Sequence, residues 1–130
     1  MGAFWTMLGT IHLNTLHYSL ESNPADPRVL TLLIHEVKHL QQGMHTALSV
    51  YGELEAWQLQ FRLFHQMTNA KMHKVIEEML SLPLNWDRAV LKRARELMQE
   101  YAGNGYRADL LPLYPLGKEI MCRLFKQTPT

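Results

Sequence analysis

The residues with the clearest chemical meaning are His35, Glu36 and His39, in the run Leu33-Ile34-His35-Glu36-Val37-Lys38-His39. The pattern is HExxH. Four residues is one helical turn, so a helix places both imidazoles on one face. Zn²⁺ takes neutral imidazole nitrogens at about 2.0–2.1 Å, and two such rings can share one ion. Glu36 follows the first histidine directly. Its carboxylate then lies beside the ion, where a general base for an activated water belongs. The chemistry expected of such a set is zinc-assisted hydrolysis of an amide bond.

The motif must lie on a helix, and the surrounding residues predict one over 27–42. Asp26 is a capping residue and Pro27 suits the first helical position. Val29, Leu30, Leu32, Leu33, Ile34, Val37 and Leu40 are apolar on nearly all sides, which predicts a buried helix. Gly43 is the stop signal. Two inward-facing histidines need partners, and one ion satisfies both.

Catalytic zinc generally has a third protein ligand. Glu53, fourteen residues after His39, reaches the metal if a second helix runs back antiparallel. A carboxylate among apolar neighbours is far less costly to bury when it binds a cation. His45 is six residues after His39, the spacing of the third histidine in HExxHxxGxxH proteins, although Gln42 stands where that pattern has glycine. Glu55 is the third candidate. It lies about 200° around the helix from Glu53, so only one of the two glutamates can face the ion. Tyr106 and Tyr114 are read as packed or rim tyrosines, with donation to an oxyanion as the alternative.

The remaining chain must position these groups. With 130 residues it suits one domain spanning 1–130. The net charge of +1, with signs mixed along the chain, argues against nucleic acid or an anionic membrane as partner. Cys122 is the sole cysteine and cannot form an internal disulfide, which fits a cytoplasmic protein. No basic leader and no apolar run of the roughly 18–20 residues that a membrane span needs are found. Residues 3–20 are rich in β-branched and aromatic types and read as strand or hairpin, with alternation at Ile11-His12-Leu13-Asn14. His12 and His17 in that stretch are read as exposed or otherwise satisfied rather than ligating. Helical spacing predicts further helices over about 46–67, 72–82, 86–101, capped by Asn85, and 116–125. The expected fold is therefore α+β: a small N-terminal antiparallel sheet or hairpin with four to five helices, and HExxH on the central one.

At these residues the chain resembles the gluzincins, zinc peptidases with HExxH on one helix and a glutamate on a later one. The run 33–39 is similar to their first helix, and Glu53-Leu54-Glu55-Ala56 is similar to the E-x-x-A core of the second. Gly9-Thr10-Ile11-His12-Leu13 and His39-Leu40-Gln41-Gln42 also look like small metallopeptidase-like domains of bacteria. The likeness covers about residues 9–60. It implies a zincin-like fold, Zn²⁺ held by His35, His39 and Glu53, Glu36 as general base, and a peptide or protein substrate paired to the strand at residues 10–14. Gluzincins often carry, four residues after the glutamate ligand, an aspartate that orients the first histidine. Trp57 stands there, and loss of such a support lowers metal affinity or activity about 10–100-fold. A metallopeptidase-like domain that binds metal or a protein partner without turnover is the alternative.

Overall fold

The computed structural model describes residues 3–5, 11–13, 23 and 25–125. Six α-helices carry the described chain: α1 (Pro27–Gln42), α2 (Met44–Ala47), α3 (Val50–Thr68), α4 (Lys74–Ser81), α5 (Arg88–Ala102) and α6 (Leu116–Phe125). A 3-10 turn spans Ala108–Leu110. The strands among the described residues are β1 (Ala3–Trp5) and β2 (Ile11–Leu13), which pair antiparallel with Ala3 opposite Leu13 and Trp5 opposite Ile11.

The fold class is helical, which corrects the α+β expectation and the N-terminal sheet it included. Two paired three-residue strands lie against α1 but are too short to make a layer of the fold, and a two-stranded ladder has little stability of its own. Strand propensity measures how a side chain fits a half-buried pleated surface, so aromatic and β-branched residues alone do not make a sheet. The rest of the expected strand region, residues 6–10 and 14–20 with His17, lies outside the described residues.

Helix boundaries follow local chemistry. Asp26 accepts the Arg28 amide at 2.9 Å, and Pro27 opens α1. Gly43, at φ 78°, takes the positive backbone angle that separates α1 from α2. The helix expected over 46–67 is broken at Leu48 and Ser49. There the buried Ser49 hydroxyl donates to the Thr46 carbonyl and accepts from the Gly52 amide, capping α3. The amides of Val50 and Tyr51 donate to the carbonyls of Pro112 and Leu113, which ties the 108–115 segment to the start of α3. Asp87, not Asn85, caps α5 by accepting from the Val90 amide; Asn85 accepts from the Asp87 amide in the preceding turn.

The main core lies between α3, α4, α5 and the segment before α6. Leu54, Ile76, Met79, Leu91, Leu97, Met98 and Tyr114 are buried there. Helix α1 stands on the other side of α3. Its buried side chains are Val29, Thr31, Leu32, His35, Glu36 and His39, while Val37 is exposed and Leu33, Ile34 and Leu40 are half-buried. The α1–α3 seam is therefore largely polar, and it carries the most extensive helix pairing in the described chain.

Gly52 permits the close approach of α2 to the start of α3. A Cβ at this position would overlap the Thr46 carbonyl oxygen and lie 3.1 Å from Gln42 Oε1 at the end of α1. Gly52→Ala gains about 1 kcal/mol of helix propensity, but overpacking against fixed backbone costs about 1–3 kcal/mol or more. We expect net destabilisation, read as a lower urea midpoint. A variant as stable as the parent would show that the seam can open without cost.

Candidate metal centre

Each group of the cluster is set by a helix turn. His35 and His39 stand one turn apart on α1, and Glu53 stands in the first turn of α3, which packs against it. The two Nε2 atoms are 2.9 Å apart. Glu53 Oε1 is 3.2 Å from His39 Nε2, and Glu53 Oε2 is 3.5 Å from His35 Nε2. His35, Glu36 and His39 are 0–2% exposed, and the Glu53 side chain is 12% exposed.

Ligand atoms about 2.0–2.1 Å from a tetrahedral centre stand about 3.3–3.4 Å apart. The two ring nitrogens are 2.9 Å apart and each faces a different Glu53 oxygen, at 3.2 Å for His39 and 3.5 Å for His35, so the set is compact on the scale of a metal centre. The donors are two nitrogens and one carboxylate, and His35, His39 and Glu53 form a group that could hold a metal ion. Such a set suits several divalent transition ions, zinc among them.

The electrostatics reflect burial set against one carboxylate. Burial pushes His35 down to about 4, opposed by the charge of Glu53 and helped by His39. At His39 burial also disfavours the imidazolium, but the hydrogen bond and charge of Glu53 outweigh it and the net shift is upward. Burial alone would raise Glu53, yet the two histidines hold it below the usual carboxylate range. Burial lifts Glu36 to about 7, with His39 opposing and Glu53 adding. Three buried atoms in or beside this set have no hydrogen-bond partner: His35 Nδ1, Glu36 Oε1 and the Tyr106 hydroxyl. Burial and then the charge of Glu53 push the Tyr106 phenol well above its ordinary range, so it remains a donor.

Of the third-ligand candidates, Glu53 is the one brought to the histidines. Glu55 lies elsewhere on α3, 2.8 Å from Lys38 Nζ. His45 is exposed in the short α2. Tyr114 belongs to the main core, tilted against Trp86.

Two supporting contacts were not anticipated. Trp57, at the place where an orienting aspartate was sought, donates its indole Nε1–H to Glu53 Oε2 at 3.0 Å. It steadies the carboxylate rather than a histidine. The available signal was its i+4 spacing from Glu53 on one helix. Gln42 Oε1 lies 3.0 Å from His39 Nδ1. Gln42 is three residues beyond His39, so it too shares that helix face.

No family model, curated protein or solved structure matches the chain.

The cluster predicts one divalent ion per chain. His39→Ala should abolish zinc binding, measured by elemental analysis and by competition with a chromogenic chelator. Glu53→Ala should weaken it by more than the about 10–100-fold that supporting residues cost, and His45→Ala should leave it unchanged. Equal affinity in Glu53→Ala would remove Glu53 from the ligand set.

Proposed function

We propose that this chain is a zinc-dependent peptidase, with His35, His39 and Glu53 as ligands and Glu36 as general base. The observation that carries the reading is a buried carboxylate with an unpartnered oxygen next to a two-histidine, one-glutamate cluster of the right size for an ion. Zinc there would supply Lewis acidity toward the scissile carbonyl and an acidified water. Glu36 would accept a proton from the attacking water as the new C–O bond forms and would return it to the leaving amine as the C–N bond breaks. Without an ion, burial lifts Glu36 to about 7; a bound dication would lower it and favour the carboxylate that accepts the proton. The Tyr106 hydroxyl, held protonated by burial and the charge of Glu53, is a further donor for developing negative charge. The substrate class is a peptide or protein. The single cysteine supports a cytoplasmic setting, and no helix among the described residues is long and apolar enough to cross a membrane.

One observation favours a second reading. The ligating atoms are almost wholly buried among the described residues, and closed sites serve structure more often than turnover. The same centre would then make the chain a metal-dependent binding module.

The test is a zinc-loaded full chain incubated with a mixed fluorogenic peptide library, beside Glu36→Gln. Peptidase action predicts cleavage by the parent, and a loss of about 10²–10⁴-fold in the variant with zinc retained. Zinc bound by the parent with no cleavage would select the binding module. Equal cleavage by Glu36→Gln would remove this mechanism.

A further inference from the structure

Gln42 forms three polar contacts whose directions are fixed by chemistry. Its Nε2 lies 2.9 Å from the Gly52 carbonyl oxygen and 2.8 Å from Glu55 Oε2. Both partners only accept, so both amide protons are committed. The carboxamide oxygen then faces His39 Nδ1, at 3.0 Å. An amide oxygen cannot donate, so the proton of that contact belongs to Nδ1. Glu55 is itself held by Lys38 Nζ, 2.8 Å from its Oε1. Lys38 and His39 are adjacent on α1, and Gly52 and Glu55 are on α3. Gln42 thus ties both helices to one imidazole.

We infer that Gln42 is a positioning residue for His39: its oxygen accepts the Nδ1–H hydrogen bond, which directs Nε2 toward His35 and Glu53 as the nitrogen left for an ion, and it is kept in that orientation by Glu55 and Lys38. The inference rests on the metal-centre reading above. Its physical content is that histidine has two neutral tautomers and only one presents Nε2 to an ion. His35 lacks a braced partner of this kind: its Nδ1 is buried without a close hydrogen bond, and Gln60 is its further polar neighbour.

The test uses the full chain and zinc alone, comparing the parent with Gln42→Met, which keeps length but loses the acceptor, and Gln42→Glu, which keeps an acceptor. Affinity is read by chelator competition. Tautomer state is read from the His39 imidazole nitrogens by NMR, with and without zinc, at alkaline pH. We expect Gln42→Met to bind zinc about 10–100-fold more weakly and to lose the slowly exchanging Nδ1 proton. Gln42→Glu should retain that proton and bind more tightly than Gln42→Met. Parent-like affinity and an unchanged Nδ1 proton in a folded Gln42→Met protein would overturn the inference. If Gln42→Met does not fold, a Gln42→Glu protein lacking the Nδ1 proton overturns it as well. Should the parent bind no zinc, the metal reading fails. The zinc-free spectra then still decide whether Gln42 sets the tautomer.

Discussion

Burial of ionisable groups between α1 and α3 is the constraint on which this structure turns. The seam encloses two imidazoles and two carboxylates, His35, His39, Glu36 and Glu53, with almost no exposed surface on the first three. Isolated charges in such a place cost several kcal/mol each, even after relaxation. The groups answer by splitting their protonation: His35 is driven toward the neutral ring, His39 toward the cation, Glu53 toward the anion and Glu36 toward the acid. A divalent cation offers a different settlement. With two neutral rings, ionised Glu53 and ionised Glu36, the charges of such a set sum to zero, and each ligand gains a partner at bonding distance.

That seam exists because the apolar burden is carried elsewhere. Leu54 and Trp57 on α3 face a core completed by α4, α5 and the 108–114 segment. Helix α3 is thereby anchored on one side, and its other side is free to hold polar groups against α1. The close approach depends on the absence of a side chain at Gly52 and on the break at Leu48 and Ser49, which turns the chain so that α3 starts beneath the end of α1. The same short stretch, Gln42 to Gly52, sets helix spacing and supplies a hydrogen-bond acceptor to His39.

Much of this was legible where a local rule and a chemical need coincided. The extent of α1 followed from Asp26-Pro27 at one end and Gly43 at the other, and α6 from its spacing. HExxH gave the two histidines as one-turn neighbours, and the fourteen-residue interval pointed to an antiparallel second helix. The α+β reading failed because side-chain type at residues 3–20 was taken for strand without evidence of a surface to pack on. The break at Leu48 and Ser49 was hidden because Ser49 acts as a cap only when its hydroxyl meets the Thr46 carbonyl and the Gly52 amide, a three-way contact. α1 was expected to be buried all round, but its apolar residues are spread over faces that α3 does not cover.

The supporting contacts divide unequally among the three groups of the cluster. Glu53 is steadied by Trp57 from its own helix. His39 is held by Gln42, itself braced across the seam by Gly52 and Glu55. His35 has its Nε2 in the cluster and no hydrogen bond at Nδ1. An aspartate at position 57 would have placed a carboxylate on the ligand-bearing face of α3. Trp57 instead puts a neutral donor there, which adds no negative charge to a seam already holding two carboxylates. The consequence is a centre whose geometry is imposed from α3 and from the end of α1. His35 is held mainly by helix packing, with Gln60 as a further polar neighbour, so of the three groups it depends most on how α1 sits against α3.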